Sequence, residues 1–272
     1  MVQPSISIVS PCYNEEQNIS EVYERVKNIF QTLPQYNYEH IFIDNHSTDN
    51  TQLILKELAN QDPQVKLIFN SRNFGHIRSP FYGLLQASGD AMILLVSDLQ
   101  DPPELIYDFL RKWEAGYDIV IGVKTQSLES PTMFMLRKLY YHFINKLSEI
   151  KLQKNFTGFG LYSRGIIEKL RAMDDPYPYF RGLVFEVGYN VATIPFTQPQ
   201  RRRGVTKNNF FTLYDIAMLG VTSHSKIPLR IATITGFCFA GVCFFTAIAY
   251  FIYKLMFWDE FSVGIAPLVI GL

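Results

Sequence analysis

Four short segments of this 272-residue chain combine polar side chains, mostly acidic, amide or hydroxyl, with turn-forming residues. Side chains of these types can bind a phosphate-bearing ligand and a cation, although each segment alone is equally typical of an ordinary turn or helix cap. All four directly follow short apolar runs, and this shared position favours a binding site. The segments are residues 11–16 (PCYNEE), 44–49 (DNHSTD), 71–75 (SRNFG) and 97–101 (SDLQD).

The apolar runs before these segments predict β-strands, and the stretches between them predict helices because apolar residues recur every three or four positions. This alternation is typical of βαβ units around a mainly parallel sheet. Ligands of such sheets bind beyond the carboxyl ends of the strands, so the four segments are expected to meet at one edge. Strands are predicted at residues 6–10, 40–44, 65–69, 91–96 and 119–122, and helices at 18–33, 50–61, 76–88, 103–115 and 133–150.

No glycine-rich loop follows the first predicted strand, which argues against a dinucleotide-binding fold or a P-loop. A bound diphosphate would then need a cation, and Asp98 is the obvious ligand. Magnesium typically takes one or two carboxylates and completes its shell with substrate phosphates and water. His46 and His76 are not expected to bind metal, because no second histidine or cysteine lies at ligand spacing.

The overall composition excludes some function classes. Twenty-five basic and 25 acidic residues give a formal net charge of zero, so nothing suggests a nucleic-acid partner. Three cysteines cannot form a disulfide framework, which indicates a reducing compartment. The first residues lack the basic region of a secretory signal, so no cleavable signal is expected there.

Residues 231–253 contain no charged side chain, and as a helix they would measure about 35 Å, enough to cross a bilayer. A buried core helix is the alternative. Lys226 and Arg230 precede this run, whereas Lys254 follows it and is succeeded by Asp259 and Glu260. The excess of lysine and arginine before the run places the N-terminal part in the cytosol. The predicted organisation is a catalytic domain at 1–204, juxtamembrane amphipathic helices at 205–228, a transmembrane helix at 229–253 and the start of a second at 261–272. An ordinary core helix is the alternative for 205–228.

Five sequence motifs together resemble family 2 glycosyltransferases of the polyprenyl-phosphate type, which include dolichol-phosphate mannose synthase and the bactoprenol glucosyltransferases. The resemblance covers essentially the whole chain. It implies an α/β GT-A fold, Rossmann-like with a mainly parallel sheet, followed by interfacial helices and a C-terminal transmembrane segment. The motifs are PCYNEE at 11–16, IDNHSTDNT at 43–51, SRNFG at 71–75, SDLQDPPEL at 97–105 and RRRGVTK at 201–207.

The same resemblance implies roles for individual residues, with Asp44 reading the base of the nucleotide. The metal, Mg²⁺ or Mn²⁺, is assigned to Asp98 and Gln100, and catalysis to Asp98, Arg201 and Lys207. The expected nucleotide-binding residues are Pro11, Tyr13, Asn14, Glu15, Asp44, Arg72, Asn73, Ser97 and Asp98. The expected acceptor-phosphate residues are Lys124, Arg137, Arg201, Arg202 and Lys207.

Three positions depart from the family pattern. Asn45-His46 stands where relatives have Asp-Gly, which makes the choice of donor less certain. Val96 replaces the first carboxylate of the usual Asp-x-Asp, so weaker metal affinity is expected. Phe159-Gly160 stands where relatives have phenylalanine and arginine, and the aspartate of bactoprenol-type members is missing beside Gly158.

A phosphate acceptor tolerates the loss of that aspartate. A phosphate monoester is already largely ionised at neutral pH, whereas a sugar hydroxyl needs a positioned base. A phosphate acceptor does need cations, which the basic segment around Arg201 to Lys207 can supply. Alternatively, Arg201, Arg202 and Arg203 could contact anionic lipid headgroups. The sequence thus predicts an inverting transfer from a nucleotide-diphosphate sugar, with UDP favoured over GDP, to polyprenyl (undecaprenyl) phosphate at the inner (plasma) membrane.

Two other functions stay open. A transferase to a sugar hydroxyl would resemble processive synthases, but their Gln-x-x-Arg-Trp motif is absent. A non-catalytic, donor-binding scaffold subunit would account for Val96 and Gly158. Related enzymes assemble through their membrane segments, so a homo-oligomer is compatible with the resemblance.

Overall fold

The structure is a computed structural model that describes residues 3–125, 153–199 and 210–257. The chain divides into two compact units, Met1–Gly220 and Val221–Leu272. The helix predicted at 133–150 and the second apolar segment predicted at 261–272 lie outside the described residues.

The first unit is built on a seven-stranded sheet whose order is β3-β2-β1-β4-β6-β5-β7. Strand β6 runs antiparallel to both of its neighbours, and every other pair is parallel. The prediction of a mainly parallel sheet is therefore confirmed. The strands are β1 (Ser5–Cys12), β2 (Asn37–Asp44), β3 (Val65–Phe69), β4 (Ala91–Leu94), β5 (Ile119–Lys124), β6 (Phe156–Ser163) and β7 (Val191–Phe196).

Helices cover both faces of this sheet. The four helices predicted before residue 116 are present with ends shifted by at most three residues, whereas β6, β7, α5 and α6 lie in a region to which the sequence assigned no elements. The helices of this unit are α1 (Ile19–Gln31), α2 (Thr51–Gln61), α3 (Gly75–Gln86), α4 (Ile106–Glu114), α5 (Arg164–Met173) and α6 (Phe180–Glu186).

Alternation along each strand divides the core into two layers. Ile8 faces the layer that includes Val22 of α1 and Phe109 of α4. Its neighbour Val9 faces the opposite layer, which includes Leu84 of α3 and Ile167 of α5. Because side chains of successive strand residues point to opposite faces, both faces of this sheet are apolar and covered.

Two helices follow residue 209. Helix α7 (Phe210–His224) begins within the segment predicted to be amphipathic. Helix α8 (Ile227–Met256) has 30 residues, a mean hydropathy of 2.0 over its most apolar window and no buried residue. At about 1.5 Å per residue it is about 45 Å long, so its length and composition allow it to cross a membrane, as predicted.

Candidate active site

The carboxyl ends of β1 to β4 lie side by side, as the sequence predicted. Cys12 pairs with Asp44, and Asp44 pairs with Phe69. Leu95, just after β4, donates its backbone N–H to the Val9 carbonyl over 2.9 Å. All the predicted nucleotide-binding residues therefore lie at or directly after the carboxyl ends of adjacent strands, at one edge of the sheet.

Hydrogen bonds join the loop after β1 to the loop after β2. The Asn14 N–H donates to Ser47 Oγ over 2.8 Å, and Asn14 Oδ1 accepts the Thr48 N–H over 2.7 Å. One residue on, the Glu15 N–H donates to Thr51 Oγ1 over 2.9 Å. These bonds fix the two loops as a single wall of the site.

Asp44, the predicted base-reading residue, is fully buried. Its Oδ2 accepts the Ser47 N–H over 3.0 Å and the Gln52 Nε2–H over 2.7 Å. Its Oδ1 lies 4.0 Å from Cys12 Sγ, a weak thiol donor, so both oxygens are held and the carboxylate is already oriented before a ligand arrives.

Asn45 connects the loops after β2 and β3, and its amide orientation follows from its partners. Its Oδ1 accepts the Phe74 N–H over 2.9 Å, and its Nδ2 donates to the Gly75 carbonyl over 3.3 Å. The same Nδ2 donates to Asn73 Oδ1 over 2.8 Å, and Oδ1 accepts from Asn70 over 3.1 Å. An aspartate, the family's usual residue here, could not make the two donor bonds.

Three of the four loops contain a non-glycine residue with positive φ. The values are 53° at Asn14, 67° at His46 and 59° at Leu99. Such conformations are costly for residues with a Cβ atom and cluster at functional sites. His46 occupies the position where relatives have glycine, which accounts for the family preference.

The loop after β4 holds the predicted metal ligand. Asp98 is half-buried, and its Oδ1 accepts the Gln100 N–H over 3.1 Å. The neighbouring Ser97 is fully buried, and its Oγ has no hydrogen-bond partner among the described residues. Since buried polar atoms are rarely left unpaired, this hydroxyl is a candidate hydrogen-bond partner for a bound ligand.

One carboxylate and one amide, Asp98 and Gln100, fit a cation that also needs substrate oxygens. No cluster of three or more His, Cys, Asp or Glu side chains suitable for a metal occurs in the part of the chain that the structure describes. Magnesium sites of this kind normally take their remaining ligands from phosphate and water. A cation held here would therefore depend on the bound diphosphate.

Two charged residues of this crevice were missed by the sequence analysis. Asp101, which the sequence placed in the segment 97–101 without a role of its own, is buried, and burial raises its pKa to about 7. Lys124 and Arg181 oppose that rise in pKa, whereas Asp98 adds to it, so all four charges lie within electrostatic reach. The spacing of Asp98 and Asp101 was visible in the sequence, but no sequence signal linked Arg181 to them.

A cavity of about 80 Å³ lies next to these charges. Its polar lining residues are His76, Thr157 and Arg181, and Thr157 Oγ1 is buried with no partner among the described residues. Val96, which replaces the family aspartate, lines the cavity with six other apolar residues. These are Ile77, Pro80, Phe81, Leu94, Tyr179 and Phe180.

The unusual Phe159-Gly160 pair has a packing explanation. Phe159 is buried and contacts Phe109 edge-on, so its side chain belongs to the core. A Cβ atom on Gly160 would lie only 2.5 Å from the Val120 carbonyl oxygen, closer than atoms can approach. An arginine therefore does not fit at position 160 of this strand.

The remaining predicted site residues divide into two groups. Lys124 ends β5 at the same edge as the four loops, and Arg72 is exposed with its guanidinium 4.3 Å from the centre of the Phe74 ring. The acceptor residues that lie outside the described part of the chain are Arg137, Arg201, Arg202 and Lys207.

Comparisons with known proteins agree with this geometry. The sequence profile described as Glycosyl transferase family 2 matches residues 7–171. The uncharacterized glycosyltransferase YkcC of Bacillus subtilis (strain 168) is 33% identical over 266 residues, which cover 97% of this chain and 81% of the relative. A prophage bactoprenol glucosyl transferase homolog of Escherichia coli (strain K12) is 36% identical over 240 residues, which cover 88% of this chain and 78% of the relative.

A solved structure shares the fold. Glucosyl-3-phosphoglycerate synthase from Mycobacterium tuberculosis, in complex with Mn²⁺, UDP and phosphoglyceric acid, matches with a TM-score of 0.52 and 18% identity. The match covers 79% of this chain and 75% of that one.

Proposed function

The chain belongs to glycosyl transferase family 2 and is a glycosyltransferase with the GT-A fold, and we propose that it transfers a sugar from a nucleotide diphosphate to polyprenyl phosphate. The observation that carries the proposal is the 36% identity to a protein named as a bactoprenol glucosyl transferase homolog, which extends over 88% of this chain. UDP-sugars are the donors we favour over GDP-sugars.

The donor nucleotide is proposed to lie along the carboxyl edge of β1, β2 and β4. Asp44 Oδ1 would meet the base, because the other oxygen of this carboxylate already accepts two hydrogen bonds. The Ser97 hydroxyl, for which the described residues provide no hydrogen-bond partner, would meet the ribose or the diphosphate. Arg72 and Asn73, both exposed at the tip of the third loop, would close over the nucleotide.

Asp98 and Gln100 would hold a divalent cation against the diphosphate. Bound there, Mg²⁺ or Mn²⁺ would supply charge stabilisation to the leaving group. Asp98 would fix the diphosphate in the orientation that exposes the anomeric carbon. The buried Asp101 interacts electrostatically with Asp98, Lys124 and Arg181, so removing any one of these charges would change the electrostatic potential at the proposed metal site.

The reaction is proposed to be one inverting displacement. An oxygen of the acceptor phosphate forms a bond to the anomeric carbon while the bond from that carbon to the donor's β-phosphate oxygen breaks. The electron pair of the broken bond stays on the departing nucleoside diphosphate. Because the attacking phosphate is already anionic, no protein base has to remove a proton, which suits a site whose β6 has Gly158 and no carboxylate beside it.

The acceptor would reach the site from a membrane. Helix α8 has the length and apolar surface of a membrane span, and α7 precedes it by two residues. We propose that α8 anchors the protein in the inner (plasma) membrane with the catalytic domain in the cytosol. The proposal assigns residues 1–204 to the catalytic domain, 205–228 to juxtamembrane helices and 229–253 to the transmembrane helix. It also assigns the acceptor phosphate to the basic residues Arg201, Arg202 and Lys207.

The deciding assay mixes the full chain in detergent with undecaprenyl phosphate and labelled UDP- or GDP-sugars, with and without Mn²⁺. We expect a metal-dependent, lipid-extractable product with one donor. Transfer to a free oligosaccharide without any lipid product would favour a sugar-hydroxyl acceptor. Donor binding without transfer to any acceptor would favour a scaffold subunit, and either result would overturn the proposal.

A further inference from the structure

Each of the other arginines that the structure describes in the first unit has a hydrogen bond, a carboxylate or an aromatic ring as partner, and Arg181 differs from them. It is half-buried at the second position of α6, and within the described ranges its guanidinium has no hydrogen bond and no carboxylate within 4 Å. By contrast, Arg164 Nε donates to the Gly89 carbonyl over 3.0 Å, and Arg25 pairs with Glu104. Desolvating a cation without a close partner is unfavourable, so its position calls for an anion.

The charge of Arg181 influences groups on three elements of the domain. Its charge opposes the rise in the pKa of Asp101 after β4, and it contributes to the lowered pKa of His76 at the start of α3. It also opposes the rise in the pKa of Tyr162 on β6. Arg181 therefore lies within electrostatic reach of all three groups, and it lines the same cavity as His76.

The cavity beside Arg181 has room and a second polar group for a ligand. Its volume is about 80 Å³, and the buried Thr157 Oγ1 has no partner among the described residues. Because β6 is antiparallel to β4, Thr157 at the beginning of β6 lies at the edge where Asp98 follows β4. A hydroxyl donor and a guanidinium thus face one space next to the proposed metal ligand.

We propose that Arg181, assisted by Thr157, binds a phosphate group of the substrates during sugar transfer. This inference rests on the proposed function and extends it to residues that the sequence motifs do not include. Guanidinium matches phosphate oxygens with two parallel hydrogen bonds and keeps its charge throughout the physiological pH range. The phosphate belongs either to the departing diphosphate, which gains the electron pair of the broken bond, or to the attacking acceptor, whose oxygen forms the new bond.

Kinetics of Arg181→Gln in the full chain test this role. We expect kcat/KM to fall by about 100-fold, the usual effect of removing one donor to a developing negative charge. Arg181→Lys keeps the charge but loses the paired hydrogen bonds, so it should recover part of the loss. Arg111→Gln, which removes a 76% exposed arginine from α4, is the matched control and should stay within about twofold of wild type.

Binding measurements distinguish the two sources of phosphate. If Arg181 holds the donor diphosphate, Arg181→Gln weakens UDP binding and leaves the KM for undecaprenyl phosphate unchanged. If it holds the acceptor, the KM for undecaprenyl phosphate rises and UDP binding is unchanged. Thr157→Val should shift the same parameter in the same direction, and it remains informative if Arg181→Gln folds poorly.

Several results would overturn the inference. Wild-type kinetics in Arg181→Gln would do so, and so would equal losses in Arg181→Lys and Arg181→Gln at unchanged melting temperature. A wild-type enzyme that makes no lipid-linked sugar refutes the proposed function instead. In that case, equal calorimetric affinities of wild type and Arg181→Gln for UDP and for undecaprenyl phosphate would also refute the role of Arg181.

Discussion

The side-chain amide of Asn45 donates a hydrogen bond to Asn73 Oδ1 over 2.8 Å and so joins the loops after β2 and β3. Both loops contribute to the proposed nucleotide site, and Asn45 holds them through four hydrogen bonds. Asn45, which departs from the family pattern, is therefore a residue on which the arrangement of these two loops depends.

Restoring the family's aspartate should be harmful. In Asn45→Asp, a carboxylate oxygen would face two acceptors, Asn73 Oδ1 and the Gly75 carbonyl, and we expect a loss of about 2 kcal/mol in the free energy of unfolding. Thermal unfolding monitored by tryptophan fluorescence measures it. Asn190→Asp, at an exposed position before β7, is the control, and equal stability of both variants would contradict the role of Asn45.

Restoring the family's glycine one position later should have the opposite effect. His46 has a φ of 67°, so His46→Gly relieves a conformation that costs about 1 kcal/mol for a residue with a Cβ atom. We expect the melting temperature to rise. Glu57→Gly, on the exposed side of α2, should lower stability by a similar amount, and a lower stability of His46→Gly would refute the explanation.

The centre of β6 should not accept a side chain. The Cβ of Gly160→Ala would lie 2.5 Å from a backbone oxygen that cannot move aside, and we expect a loss of about 3 kcal/mol or more. Gly165→Ala on α5 meets nothing within 4 Å and should be neutral or stabilising by about 0.5 kcal/mol. Similar unfolding temperatures for the two variants would contradict this packing.

His40 should make stability depend on pH. Burial lowers its pKa from 6.5 to about 3, while its Nε2 lies 2.9 Å from Ser10 Oγ. Between these two pKa values the unfolded chain binds a proton at His40 that the folded chain does not. The contribution of neutral His40 to the free energy of unfolding is therefore complete above pH 6.5 and declines as the pH falls. At pH 5 the loss should be about 2 kcal/mol, measured as the difference in unfolding free energy from His40→Gln. If the unfolding free energies of wild type and His40→Gln changed in parallel with pH, this role of His40 would be excluded.

Asp98 is expected to be essential for transfer. Asp98→Asn should lower kcat by at least about 100-fold and abolish the response to Mn²⁺, because the remaining amide ligands bind cations weakly. Product formation at increasing Mn²⁺ concentrations measures both effects. Asp108→Asn on α4 is the control, since that carboxylate is 46% exposed. If Asp98→Asn responded to Mn²⁺ like the wild type, the cation would have to be bound by other ligands.

The sequence alone determined the first five strands of the sheet, the helices that connect them and the membrane-length helix. Continuous apolar runs in the strands and a period of three to four residues in the helices extend over whole elements there, so local preference and burial agree. The convergence of residues 11–16, 44–49, 71–75 and 97–101 followed directly, because parallel strands present their carboxyl ends at one edge.

Only the tertiary structure decided which side chains are held by hydrogen bonds, which have no partner among the described residues, and which positions have no room for a side chain. Asn45 looked like a lost carboxylate and proves to be a fourfold hydrogen-bond connector, whereas Gly160 looked like a lost cation and proves to lie against a backbone carbonyl. Arg181 lies 83 positions after Asp98 in the sequence, and an antiparallel strand, β6, separates β4 from β5. Contacts of this kind depend on how distant segments pack, which no local pattern of residues encodes.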